Sequence, residues 1–577
     1  TNLGAAQLWD EDEPIFAGAA REMFDRGDWV VPYFNGVVLP DKPALMYWVM
    51  MAGYGVFGPT EFAARCGSAV FGVASVLLTW FLARRLFSAR VGFWAGLALA
   101  TSLSFDGVAR AATPDSLLVF FSMLALYAFV RGSSPRVSDG PAGGAIATAP
   151  LSVSPGWLAY IAMYAAMGVA ALAKGPIGIA LPTAAIGLYL LIARLPVGAC
   201  TAASDRRTWL ARCGGLLRAA ARTFAPRHFC ATAWSMRPLT GAAVITAVAG
   251  PWYAWVGWRT DGAWLQGFFG VHNFGRFLNA MEHHRGPFFY YLVAVLIGFF
   301  PWSVFLWPSL RQLMQKVRSR HRWAPSYLLL ACWIGVYLFF FSLAKTKLPN
   351  YILPIYPALA LLAGAWIDFW VRRPGLILRR DLRGAWLTLT LVGLGISVAL
   401  PVAAGYFLGG DLALGLTGLP LLIGGLAVWR LAERGPPRMA AFALVATAVV
   451  FCITLFGWGA VRVDRRQNSA EFAAAIRRHA RGAAPQIRCF GYYRPSLVFY
   501  SRQPVRQFTT PEQVGEFFRE QPQDAFVFAS EKRYRQLAAV LPADVKVLER
   551  RTWFLRNSQI LLLGRENDLA ALPATTK

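Results

Sequence analysis

Apolar runs close to the length an α-helix needs to cross a bilayer core, about 20 residues, recur along this sequence and leave it few ways to fold. Twelve are read, over residues 61–83, 91–107, 114–131, 156–173, 176–193, 239–258, 287–308, 325–343, 351–371, 386–407, 417–430 and 439–458. Backbone N–H and C=O groups find no water in hydrocarbon, so such a chain is expected to be an α-helical polytopic membrane protein. Its composition agrees: of 577 residues, 56% are hydrophobic and 15% charged, too apolar for a soluble globular protein of this length.

The formal net charge of +27 would by itself suit a nucleic-acid binder, but the basic residues fall between the apolar runs. The first connection carries Arg84, Arg85 and Arg90, and the third Arg131 and Arg136. The fifth, residues 194–238, has eight arginines against one aspartate, and the seventh, ninth and eleventh are basic too. Even-numbered connections are short and poorer in Lys and Arg. By the positive-inside rule the odd connections are cytoplasmic. Residues 1–60 and the segment after the twelfth run are then outside, and no nucleic-acid partner is expected. A polytopic chain that begins outside also implies one more transmembrane helix ahead of residue 1. The seven cysteines contain no CxxC pair, so neither a zinc site nor a disulfide framework is expected.

Within residues 1–60, Phe16, Ala19, Ala20, Met23 and Phe24 share a helical face that ends at Gly27-Asp28. A second amphipathic helix is expected over 44–56, and both read as lying on the membrane surface. Residues 462–577 have the composition of a soluble domain. A helix is expected over Ser469 to His479, with strands over 486–490, 524–528, 545–548 and 559–563, which makes a small α/β domain outside the membrane.

The chemistry-bearing residues collect on the outer side. Four consecutive carboxylates, Asp10-Glu11-Asp12-Glu13, sit beside segments read as membranous. Carboxylates facing lipid would cost several kcal/mol, on the order of 3, so this cluster faces water, a cation or a substrate. With it come Asp41-Lys42-Pro43, Pro114-Asp115, Lys174-Gly175, His272-Asn273, Arg276, His283-His284-Arg285 and Lys345 to Tyr351. Cations and carboxylates gathered where helices leave the lipid suit a substrate with a lipid tail and an anionic head. Lysines at helix ends are equally read as snorkelling anchors, and Asp115 after Pro114 as a helix cap.

The order Asp12-Glu13, Ala20-Arg21-Glu22-Met23, Gly27-Asp28-Trp29, Asp41-Lys42-Pro43, Tyr47-Trp48, Pro114-Asp115, Ala173-Lys174-Gly175, Arg276-Phe277, His284 to Phe288, Tyr290-Tyr291 and Ser342 to Leu353 resembles the bacterial aminoarabinose lipid A transferase (ArnT) family. That family belongs to the GT-C group of polyprenyl-phosphate-sugar glycosyltransferases, relatives of protein O-mannosyltransferases. The resemblance covers residues 9–370 and implies a bacterial inner-membrane enzyme with thirteen transmembrane helices. The active site and a C-terminal domain would be periplasmic. It implies Asp12 as the essential carboxylate, Asp115 as a second, and Lys42 as the lysine between the surface helices. Lys174, Arg276, Arg285, Lys345, Lys347 and Tyr351 would surround the donor phosphate or the acceptor. Asp41 and His272-Asn273 stand where the family often has Glu and Glu-His. A divalent metal of the kind some members carry would fall to Asp41, His272 and His284, but no cofactor is required by the reaction.

That reaction is transfer of a sugar from a polyprenyl phosphate to a lipid acceptor such as lipid A, with inversion. The alternative acceptor is a protein hydroxyl, as in O-mannosylation. A transporter would place its charges at mid-membrane in two repeated halves, which this sequence does not show. A receptor would make the outer charges ordinary solvated loops.

Overall fold

The computed structural model describes residues 2–133, 155–195, 218–275, 286–482, 484–521, 523–556 and 558–565. Helix α1 (Asp12–Arg26) ends at Gly27, whose φ of 65° lets its N–H and that of Asp28 fold back onto the carbonyls of Met23 and Phe24. A short hairpin follows, β1 (Tyr33–Phe34) with β2 (Val37–Val38), then α2 (Leu45–Phe57). The apolar face of α1 packs Phe16, Ala20 and Met23 against Met46, Met50 and Tyr54 of α2 and against Phe499, so protein covers it. The exposed apolar residues of this region include Trp9, Phe24, Trp29 and Val37, and Val56 and Phe57 at the end of α2.

The helical body begins with α3 (Glu61–Leu86), α4 (Ala89–Ala100), α5 (Leu103–Ala109), α6 (Asp115–Gly132), α7 (Trp157–Lys174) and α8 (Ile177–Ala193). Among the described residues nine helices are long and apolar enough to span a bilayer, and two bent pairs raise this to eleven. This is the build of an integral membrane protein. Every one of the twelve expected runs falls on a helix, but not every helix is a straight crossing. The second run is α4 and α5, bent by 69°, and the seventh is Tyr290–Gly298 with Trp302–Arg318, bent by 114° at Phe299-Phe300-Pro301. The fifth, α8, has 17 residues, while the eleventh is longer than its apolar stretch suggests, Leu412–Arg434. The span Pro349–Arg372 is the axis of the bundle, 94% buried. It approaches α4 so closely that a Cβ on Gly364 would stand 2.7 Å from the backbone of Ala95.

The C-terminal domain is a five-stranded sheet in the order β4-β3-β5-β7-β6. Its strands are β3 (Gln486–Phe490), β4 (Val505–Phe508), β5 (Ala525–Ser530), β6 (Val545–Thr552) and β7 (Gln559–Arg565). β3 runs parallel to β4 and β5, and β7 antiparallel to β5 and β6. Successive side chains of β5 serve opposite faces. Phe526 and Phe528 pack under the helix Ser469–His479, and Ala525, Val527 and Ala529 under the helix Pro511–Glu520. That double burial explains why β5 reads as a continuous apolar run.

Candidate functional site

The four consecutive carboxylates have four different surroundings. Asp10 turns toward the C-terminal domain, accepting from the Ser496 N–H at 3.0 Å and Oγ at 2.7 Å, with Arg494 at 3.7 Å. Glu11 is exposed. Glu13 is buried in a two-pronged pair with Arg65 of α3, Nε at 2.8 Å and Nη2 at 2.6 Å, and also accepts from the backbone N–H of Trp9 and Ala112. Its oxygens are spent on architecture. Arg65 completes the knot by donating to the carbonyls of Leu3, Ala6 and Gln7.

Asp12 differs from all three. It is accessible, and no hydrogen bond or ion pair joins it to a described residue. Yet protein surrounds it closely enough that burial, first, pushes its pKa above the ordinary carboxylate value. Lys42 opposes this shift, Asp41 and Asp115 add to it, and Lys174 opposes it. A group both accessible and surrounded lies in a concave place, and the four charges acting on it come from three separate parts of the chain.

Two of those charges stand at helix ends and two in the loop before α2. Asp115 opens α6 and Lys174 closes α7, and the two side chains meet in an ion pair. Asn350 Nδ2 donates to the other Asp115 oxygen at 3.2 Å, and the Lys174 ammonium lies 5.2 Å from the centre of the Tyr351 ring. Gly175 follows with φ of 82°, where a Cβ would stand 2.6 Å from Phe268. Only glycine lets the α7 end approach the segment Gln266–Gly275 this closely. On the α2 side, Lys42 Nζ is 2.7 Å from Asp41 Oδ1, and His272 Nδ1 is 3.1 Å from the same oxygen. The structure thus gathers Asp12, Lys42, Asp115, Lys174, Tyr351, Asp41 and His272. Lys345 is exposed, whereas Arg276, His284 and Arg285 lie outside the described residues.

Lys347 has a different occupation. Its ammonium is buried and donates to the carbonyls of Phe341, Ser342 and Ala344 at 3.3, 2.8 and 2.9 Å, closing the C-terminal end of the helix Ala324–Leu343. All three of its protons are used, so this lysine orders the loop that carries Lys345. Lys347→Met is expected to lower thermal stability, by roughly 1–3 kcal/mol for carbonyls left without a donor, and to leave donor affinity close to wild type. Thermal unfolding beside a donor-binding titration checks this.

Asp41 and His272 are the described members of the set named for a metal. They provide two donors, one of whose oxygens already holds the Lys42 ammonium, and no group of three metal-ligating side chains occurs among the described residues. Those two donors alone do not build a cation site, and His284 lies outside the described residues.

Sequence reading missed how the C-terminal domain grips this region. Arg21 of α1, buried, donates to the carbonyls of Phe499 and Val498. Asn35, in the hairpin turn, exchanges two 2.8 Å hydrogen bonds with the backbone of Val505 on the edge strand β4. Tyr500 donates to Glu61 and accepts from the N–H of Leu8. These partners stand more than 400 positions apart, and no local pattern signals them.

The pattern of a family described as dolichyl-phosphate-mannose-protein mannosyltransferase matches residues 41–202. An undecaprenyl phosphate-alpha-4-amino-4-deoxy-L-arabinose arabinosyl transferase of Edwardsiella ictaluri is 31% identical over 72% of this chain and 63% of its own length. The protein of the same description from Yersinia enterocolitica is 25% identical over 98% of this chain and 84% of its own. The chain spans less than two thirds of the length of the relatives it matches at 30–31% identity, 63% and 54% for two of them. Among solved structures, ArnT from Cupriavidus metallidurans bound to undecaprenyl phosphate superposes with a TM-score of 0.71 at 25% identity, over 97% of this chain and 95% of that one. Its apo state gives 0.69.

Proposed function

We propose, from the premise that this chain is an ArnT-like protein of the GT-C glycosyltransferase type, that it moves a sugar from a polyprenyl phosphate to a lipid acceptor at the outer face of the bacterial inner membrane. The observation that carries the reading is the placement of Asp12, a carboxylate with no hydrogen bond or ion pair to a described residue, beside the Lys42–Asp41 pair in the loop before α2 and the Lys174–Asp115 pair where α7 ends and α6 begins. On the outer side, the lipid tail of each substrate stays among the spans and its head enters this place. The first segment, the cleft and the C-terminal domain are all on that side.

In the reaction an acceptor oxygen attacks the anomeric carbon. The bond from that carbon to the phosphate oxygen breaks, its electron pair leaves with the polyprenyl phosphate, and in-line displacement inverts the centre. Charge builds on the departing phosphate, and Lys42, Lys174 and Lys345 supply the opposing charge, each ammonium carrying three N–H donors. Arg276 and Arg285 are assigned to the same task from the sequence. No cofactor is required. An acceptor hydroxyl gives its proton to Asp12, whose raised pKa makes it a better base than an exposed aspartate. A phosphate acceptor has no proton to give, and Asp12 then orients it or the sugar.

Mass spectrometry of acceptors after incubation of purified protein with a polyprenyl-linked aminopentose tests the acceptor. Mass gained by a lipid A-type acceptor and not by serine- or threonine-bearing peptides is the expected result. Mass gained only by the peptides would replace lipid modification with protein O-glycosylation.

A further inference from the structure

On the side of α1 away from Asp12 lies a pocket of about 800 Å³ that the transfer reaction does not use. Arg21, which lines it, is nine residues beyond Asp12, about two and a half helical turns, and so on the opposite face of α1. Three separate parts of the molecule form its walls: α1, the Pro59-Thr60-Glu61 start of α3, and the C-terminal domain with Arg477, Tyr500 and Arg502. Thr60 caps α3, a bilayer-spanning helix, so the pocket opens at the depth where that helix leaves the lipid. The apolar side chains beside it, Phe57 and Phe62, are 54% and 40% exposed and stack edge to face on each other.

The charge inside is unbalanced. Arg21 is committed to two carbonyls, and its charge is felt together with that of Arg502. Arg477 donates to the Tyr500 carbonyl at 3.4 Å, and neither Arg477 nor Arg502 has a carboxylate partner among the described residues. The acids nearby are Glu61, which accepts from Tyr500, and Asp25 and Glu22, both of which act on Arg21, Asp25 at 4.0 Å from its Nε. On the walls Arg21, Arg477 and Arg502 stand against Glu61, and guanidinium groups at the lipid boundary match a phosphate carried on a lipid.

We propose that this pocket binds the phosphodiester headgroup of an anionic phospholipid, which ties the C-terminal domain to α1 and to the first span. The binding is separate from catalysis, and its ligand is neither donor nor acceptor.

The test is thermal unfolding of the full chain, purified in non-ionic detergent, with phosphatidylglycerol, phosphatidylcholine or inorganic phosphate added. Phosphatidylglycerol is expected to raise Tm by about 3 °C or more over phosphatidylcholine, because a ligand that binds only the folded state stabilises it. Arg477→Gln with Arg502→Gln, both exposed side chains, should keep the lipid-free Tm and lose that difference, and the double lysine variant should retain most of it. An equal rise in the glutamine variant, or no preference for the anionic lipid, overturns the proposal. A rise of the same size with inorganic phosphate assigns the site to a soluble anion and overturns the lipid as its source.

Discussion

Asp12→Asn is expected to insert, fold and bind a polyprenyl-linked donor, and to lose transfer by a factor of about 10²–10⁴, the range for a positioned acid or base. The substitution keeps the shape of the side chain, and Asp12 makes no hydrogen bond or ion pair with a described residue that folding would miss. The loss therefore falls on kcat, with donor affinity little changed. The pH profile carries a second signature. Burial, the first cause, raises the Asp12 pKa, so the acid limb of kcat/KM lies above the ordinary carboxylate range. Lys42 opposes that shift, so Lys42→Met removes a nearby positive charge, raises the Asp12 pKa further and moves the acid limb toward higher pH. A profile with no acid limb, or a limb that moves toward lower pH in Lys42→Met, would contradict the role given to Asp12.

The neighbouring residue should behave in the opposite way. Glu13→Ala leaves the Arg65 guanidinium buried without its carboxylate, and removing one partner of a buried pair costs about 3–5 kcal/mol. The two backbone donors Trp9 and Ala112 lose their acceptor as well. The variant is expected to unfold at markedly lower temperature, and the fraction that remains folded should turn over at a rate close to wild type. Unchanged stability with abolished turnover would move Glu13 from the frame into the chemistry. The two variants together separate adjacent carboxylates that the sequence presents as one acidic run.

How much of this was legible follows from which forces act locally. The helix Ser469–His479 and strand β3 have the boundaries their periodicity suggests, because one face of each is covered by the sheet core. Strand β4 was not foreseen: its Val-Arg-Gln-Phe has one fully buried position and lies at the sheet edge, where pairing is set by β3 and by Asn35 rather than by an apolar pattern. The apolar face of α1 was legible as a face, but what covers it was not, since Phe499 arrives from the far end of the chain. The bends at α4–α5 and at Phe299-Phe300-Pro301 were hidden for a related reason, as hydropathy reports length and not direction. At the site, Lys174 and Asp115 are legible as unusual charges at helix ends and Lys42 as the lysine between the surface helices, and the structure pairs each with an opposite charge. Lys347 carried the same signal for a different cause, capping a helix end.

Donor cleavage at this cleft is the step on which the proposed function rests. The measurement to make is release of polyprenyl phosphate from a panel of polyprenyl-linked sugars by the purified protein, with Asp12→Asn alongside. Release from at least one donor by the wild type is expected, with a rate lower by at least about 10² in the variant. Equal release by both, or none from any donor by folded wild-type protein, would contradict it.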